Sequence, residues 1–314
     1  MTAPDFLHGY ELTGCTAFDA NLVCLWGLGG DVDDPLEEAS ARVFFHYADE
    51  PLEDRWAFRH IGETTGLFGC AAHVPTREWV FVTEDGQVTT VSSAGEGEAP
   101  PVTEGRAFFS NAKVLHSGEV VAVGGRRKVF LRGADGRFQR WGEGLFPDGP
   151  DADMGDAGFR DVAGFGPDEI YAVGGRGDAW VCRTGQWERI DLGTNASLQR
   201  VTCSRDGRVV IAANRDLLFV GRGTTFEPVR QQITDEVHES LVDFEGRVLL
   251  STVRHILEVR GNEIVPASLG RIPELPSFSR LGSGRGVLVV AGRSGAATYD
   301  GTEWTVLCGR SKSV

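Results

Sequence analysis

Lysine is almost missing from this chain of 314 residues: Lys113, Lys128 and Lys312 are three of its 31 cationic side chains, and arginine supplies the rest. Long apolar runs are missing as well. No stretch approaches the roughly 18–20 apolar residues that cross a bilayer, so a transmembrane helix is not expected. The opening MTAPDFLHGYELTG has no basic segment leading into an apolar one and does not read as a secretory signal. The six cysteines (Cys15, Cys24, Cys70, Cys182, Cys203 and Cys308) lie far apart with no CxxC spacing, and reduced, mostly buried thiols in a cytoplasmic protein are expected. The seven histidines form no HxH, HExxH or Cys/His pairing, so a zinc site is not indicated. No GxSxG, Walker A or post-strand dinucleotide fingerprint appears either, and no cofactor is expected. The formal net charge of −14 repels phosphate backbones at long range. It argues against a nucleic-acid partner and suits a basic protein surface.

What the chain has in excess is glycine, 42 residues, set among short apolar runs in a composition that is 41% hydrophobic and carries seven tryptophans. That combination points to many tight turns in an all-β fold. The turns recur. Val209, Val248 and Val287 are separated by 39 residues each time, Ile170 lies 39 before Val209, and Val120 lies 50 before Ile170. Each unit reads as a short apolar strand, a Gly or Asp turn, a β-branched strand, a turn containing Arg, a third strand, a Gly turn and a last strand that opens on an aromatic. Examples of the last strand begin at Phe138, Trp187, Phe226 and Trp304. Four short strands in about 40 residues form one propeller blade, which buries its faces only by stacking on neighbours. The expectation is one seven-bladed β-propeller domain over 1–314, with blades near 15–62, 63–105, 106–148, 158–193, 197–233, 237–270 and 277–309. The alternative is six blades plus an N-terminal β-unit, because the first unit is the least regular. Residues 1–14 are left to close the ring as an edge strand or to cap one end.

The segment AVGGRGDAWVCRTGQWERI resembles the repeat of β-propellers built from bacterial-neuraminidase-type repeats, in particular the photosystem II assembly-factor type. The matching positions are Ala172, Val173, Gly174, Gly177, Gly185 and Trp187, with Ala122, Val123, Gly124 and Gly125 and again Asp300, Gly301 and Trp304. The resemblance spans roughly 106–309 and implies architecture rather than activity. It also implies a basic patch on one propeller face. The full Asp-box is absent, with TYDGTEW (Thr298–Trp304) its nearest remnant, and sialidase activity is not expected.

Arg176, Arg215, Arg254 and Arg293 recur every 39 residues, and Arg126 is their counterpart 50 residues earlier. All five fall in the turn between second and third strands, so stacking sets them around the axis on one rim. There they form an anchor for carboxylates or phosphate, or serve as blade-to-blade staples on neighbours such as Asp178 and Asp216. The first two units break the column. Glu84 and Asp85 take the turn in the second, and an insertion with Asp31, Asp33 and Asp34 takes it in the first. The linker after the third unit carries Asp151 and Asp153, whose spacing is a poor calcium loop. Linkers and second-to-third turns leave a propeller on the same side. One uneven face, arginines against acidic insertions, is therefore the expected binding surface. It suits a protein that is basic or that presents an acidic segment to the arginines, with no membrane involved. The function expected is non-enzymatic protein binding, as in a bacterial immunity protein that neutralises a secreted toxin or an assembly chaperone. The rival is a lyase or glycan-hydrolase-type enzyme with its site at the channel mouth.

Overall fold

Each repeat folds as a four-stranded antiparallel meander, and seven of them stand in a ring. The computed structural model describes residues 7–29, 39–103, 108–143, 145, 158–214, 217–229, 238–275, 277–293 and 295–309. Blade one is β1 (Tyr10–Asp19), β2 (Leu22–Gly29), β3 (Ala39–Tyr47) and β4 (Trp56–Thr64). Blade two is β5 (Leu67–Ala72), β6 (Glu78–Thr83), β7 (Val88–Ser92) and β8 (Gly95–Ala99). Blade three is β9 (Phe109–Val114), β10 (Val120–Gly124), β11 (Lys128–Arg132) and β12 (Phe138–Arg140), and blade four is β13 (Phe159–Gly166), β14 (Glu169–Gly174), β15 (Ala179–Arg183) and β16 (Gln186–Arg189). Blade five is β17 (Leu198–Cys203), β18 (Val209–Ala213), β19 (Leu218–Arg222) and β20 (Thr225–Pro228). Blade six is β21 (Ser240–Phe244), β22 (Arg247–Ser251), β23 (Ile256–Arg260) and β24 (Glu263–Pro266). Blade seven is β25 (Arg280–Gly284), β26 (Val287–Gly292), β27 (Gly295–Tyr299) and β28 (Trp304–Cys308). Blade one has its full four strands, so the six-blade alternative does not hold.

The second strand of each blade is apolar without alternation because both of its faces are buried against other blades. In β10, Val121 and Val123 pack toward blade four while Val120 and Ala122 pack toward blade two. In β18, Val209 and Ile211 face blade four, and Val210 and Ala212 face blade six. The buried residues accordingly fall into seven clusters, one at each blade-to-blade interface. The repeat-marking residues Val120, Ile170, Val209, Val248 and Val287 are all fully buried at the start of this strand or one residue into it. Each side chain of this size contributes about 1.5–3 kcal/mol when buried. The glycine of the AVG motif has a steric reason. A Cβ on Gly174 would stand 2.0 Å from the Gly158 carbonyl oxygen, and one on Gly124 would stand 1.9 Å from that of Phe108. The second strand ends where the chain entering the blade's inner strand passes against it.

The ring closes without exchanging a strand, since every sheet comes from one continuous segment. The seam joins blade seven to blade one through side chains: Leu12, Cys15, Ala17, Val23, Leu25 and Phe44 pack on Val287, Val289, Ala291 and Leu307. Leu7 joins the same cluster. The Leu12 and Arg285 amides cross the seam to the carbonyls of Arg293 (3.4 Å) and Phe18 (2.9 Å). Residues 10–13 thus belong to the inner strand of blade one rather than to a separate closing strand or cap. All six cysteines are free and buried.

Candidate functional site

The meander gives the ring two ends. At one end the second-to-third-strand turns meet the linkers that enter the inner strands. The Gly125 amide donates to the Phe108 carbonyl at 2.9 Å, Asn214 to Ser197 at 2.8 Å, and Phe278 to the Val253 carbonyl at 3.0 Å. We call this the linker face. The opposite end carries the first-to-second and third-to-fourth hairpin turns.

Arg126, Arg176, Arg254 and Arg293 all stand exposed in turns of the linker face. Arg215 of the same column lies outside the described residues, as do Asp31, Asp33, Asp34, Asp151 and Asp153. Arg126 and Arg176 hold left-handed backbone, with φ of 56° and 55°. That region is cheap for glycine and costs other residues on the order of 1 kcal/mol. The staple expected on Asp178 exists, but the neighbouring residue makes it. Arg127 donates from Nε to Asp178 Oδ2 at 2.7 Å and from Nη2 to Oδ1 at 3.0 Å. Its guanidinium lies 5.2 Å from the Trp180 ring centroid, and Trp180 Nε1 donates to the same carboxylate at 2.8 Å. Successive left-handed residues point in different directions, so Arg127 ties blade three to blade four while Arg126 faces out. Arg293 is partly a staple as well: its Nε donates to Glu11 Oε1 across the ring seam at 3.1 Å. In blade two the turn carries Glu84 and exposed Asp85.

Three apolar side chains on this face escaped sequence reasoning. Phe108 is 70% exposed, Val253 45% and Leu217 36%. Phe108 precedes the buried Phe109, and the pair reads as core. Val253 and Leu217 adjoin the turn arginines, which was the available signal.

The inner strands enclose a channel of about 870 Å³. Its wall holds a belt of polar contacts between blades. Asp161 is fully buried, set by a bulge in β13, and accepts from Asn111 Nδ2 at 2.7 Å, Lys113 Nζ at 2.7 Å and the Val201 amide at 2.8 Å. Lys113 also donates to the Val201 carbonyl at 3.1 Å, so these groups join blades three, four and five. Arg200 Nε continues the belt to the Glu239 carbonyl at 2.9 Å. Arg280 spans from Glu239 Oε2 (3.2 Å) to the Thr13 carbonyl (2.8 Å) of blade one. The 39-residue offset from Asp161 to Arg200 to Glu239 was the sequence signal for this belt.

At the hairpin end the channel is lined by His73, His116, Arg205 and Asp243. Burial lowers the pKa of both imidazoles; Arg77 adds to the effect on His73, while on His116 the Asp243 carboxylate opposes it and Arg205 adds to it. Asp243 accepts from Ser204 Oγ at 2.7 Å and lies 3.6 Å from Arg205. Burial pushes the Cys15 and Cys70 thiols up to about 12, so both stay protonated near neutral pH and supply no thiolate nucleophile. Among the described residues no three His, Cys, Asp or Glu side chains are grouped to hold a metal ion.

No family model matches the chain. It is similar to Immune protein Tsi7 of Pseudomonas aeruginosa. The two are 27% identical over 238 residues, which cover 74% of this chain and 76% of that protein. Among solved structures, the chain superposes on the WD40 β-propeller domain of Doa1 with a TM-score of 0.63 at 11% identity, covering 93% of each. YCF48 bound to a D1 peptide gives 0.59 at 12% identity over 100% of this chain and 99% of that one. A streptogramin B lyase gives 0.60 at 14% identity over 78% and 83%. These structural likenesses show the β-propeller fold alone, since the fold serves unrelated chemistries.

Proposed function

We propose that this chain is a cytoplasmic immunity protein that neutralises a toxin by binding it through the linker face, without chemistry of its own. The observation that carries the reading is the likeness to an immune protein across about three quarters of both chains. The face supports a mechanism for it. Arg126, Arg176 and Arg254 stand exposed on the same face as Phe108, Leu217 and Val253. Exposed arginine and aromatic side chains together are the composition of interface hot spots. The blades behind them hold the turns in fixed positions, which lowers the ordering cost of binding.

The test is genetic. Deleting the gene for this chain should expose its host to killing by sister cells that retain it, and deleting the responsible effector gene in those sister cells should abolish the killing. Survival of the first deletion strain at wild-type levels in contact with effector-producing cells would sink the reading. Protection that needs His116 or Asp243 but none of the linker-face residues would instead favour an enzyme acting at the hairpin end of the channel.

A further inference from the structure

The channel wall has two unlike halves. Blades one, two and four bring no Asp, Glu, Lys or Arg to it. In blade one, Gly14 pairs with Trp26 across β1 and β2, and a Cβ on Gly14 would fall 2.1 Å from the indole. A Cβ on Gly69 of blade two would fall 2.8 Å from the same ring. The two glycines let the ring fold inward between the inner strands, where it joins Cys15, Ala17, Cys70 and Ala71 in an apolar wall.

The other half is charged. Lys113, Arg200, Arg205, Arg280 and Arg285 line it from blades three, five and seven, against Glu239 and Asp243 of blade six. Three of the five cations are matched: Lys113 lies 2.7 Å from Asp161, Arg280 3.2 Å from Glu239, and Arg205 2.9 Å from Glu245. Among the described residues, Arg200 and Arg285 have no carboxylate within 4 Å. Arg285 is exposed at the hairpin end, where water screens it. Arg200 is half-buried, so it loses hydration without gaining an ion pair. Its guanidinium is nonetheless fixed, with Nε donating to the Glu239 carbonyl at 2.9 Å and Nη1 to the Gln199 carbonyl at 2.8 Å. Arg280 is fixed in the same manner. Its Nε donates to the Thr13 carbonyl at 2.8 Å, and its Nη1 to Glu239 Oε2 and the Ser279 carbonyl, both at 3.2 Å. In both arginines Nη2 has no acceptor among the described residues. Glu239 thus brings two rigid guanidiniums together, each with a spare donor. Thr13 adjoins Gly14, so the charged half meets the apolar half at Arg280.

We infer that the channel binds a small organic anion. Its carboxylate or phosphate is taken by the Nη2 groups of Arg200 and Arg280, and its apolar body lies against the Trp26 wall of blades one and two. Guanidinium forks suit either oxyanion, and the unmatched charge on Arg200 selects an anion over a neutral molecule. The channel volume of about 870 Å³ lies within the range of small-molecule sites, roughly 300–1,000 Å³. This site is separate from the linker-face turns, and neither it nor the immunity reading depends on the other.

Isothermal titration calorimetry on the full chain tests the inference with four probes: 4-nitrobenzoate, 4-nitrophenyl phosphate, neutral 4-nitrobenzyl alcohol, and acetate. At least one of the two aromatic anions should bind, and the tighter one identifies the preferred oxyanion. The alcohol lacks the charge and acetate lacks the body, so each should bind about tenfold more weakly or worse. Arg200→Gln should weaken the tighter probe by about tenfold or more, with the melting temperature recorded alongside. Glu239→Gln should tighten it by about threefold or more, because the competing carboxylate is gone, and a damaged fold cannot produce that gain. The inference is overturned by no binding of either aromatic anion at millimolar concentration, or by equal binding of the alcohol. A folded Arg200→Gln variant of unchanged affinity, or a Glu239→Gln variant that does not tighten, overturns it as well.

Discussion

Replacing Asp161 with alanine should be among the costliest single changes in the ring. Its carboxylate has no solvent exposure and takes three donors from two other blades, at 2.7, 2.7 and 2.8 Å. The substitution leaves the Asn111 amide and the Val201 N–H without an acceptor and strips Lys113 of its counter-charge. Hydrogen bonds to a charged group are each worth about 1.5–3 kcal/mol, offset by the cost of burying the carboxylate. Removing one member of a buried pair typically costs about 3–5 kcal/mol, and that is the expected loss. Lys113 softens it only partly, because its side chain is 28% exposed and can turn into the channel. Removing both charges, with Lys113→Met and Asp161→Leu, should cost less than Asp161→Ala alone, since no uncompensated charge remains. Urea unfolding followed by tryptophan fluorescence measures these differences. A loss below about 1 kcal/mol for Asp161→Ala, or a double variant less stable than the single one, would refute the argument.

Two further predictions concern stability. Arg126→Gly should leave the urea midpoint unchanged or raise stability by up to about 1 kcal/mol, because glycine relieves the left-handed turn at some cost in unfolded-chain entropy. A clear loss would mean that the Arg126 side chain holds the fold. Acid should destabilise the protein from near pH 6.5 downward. Burial lowers the pKa of His46 to about 4 and also lowers His73 and His116, with nearby arginines contributing to each. The unfolded chain therefore takes up protons that the folded chain refuses, and stability present above about pH 6.5 is lost as the pH falls toward 4. Glu169, Glu258 and Asp206, held below their ordinary values by arginine partners, add a further loss at lower pH. Unfolding midpoints from pH 8 to 4 check the sign, and His46→Gln should flatten the slope between about pH 6.5 and 4 while leaving it unchanged above.

The blades were legible because burial on two faces writes itself into the sequence. A second strand such as Val209–Ala213 has no polar positions, and it returns every 39 residues with a glycine wherever a carbonyl passes too close for a side chain. Blade one was less regular because its strands run to eight to ten residues, against four to six in blades five to seven. The arginine column was legible as a turn position repeated by rotation. What one sequence position did not reveal was direction. Arg126 and Arg127 are adjacent and chemically identical, yet one faces solvent and the other is spent on Asp178. Phe108 and Phe109 divide in the same way. The channel belt was hidden for a different reason: Lys113, Asp161, Arg200, Glu239 and Arg280 meet only when the ring is closed, and the 39-residue offset of Asp161, Arg200 and Glu239 marks a repeat position without saying that the side chains touch.

The central claim is that this propeller acts by binding through its linker face. It is tested most directly by converting Arg126, Arg176 and Arg254 together to glutamine and measuring both effector binding and melting temperature. The account predicts that binding and cellular protection collapse while the melting temperature stays close to that of the wild type, since all three side chains are exposed. A variant that melts early yet still binds the effector at wild-type affinity would contradict it and make these arginines parts of the scaffold.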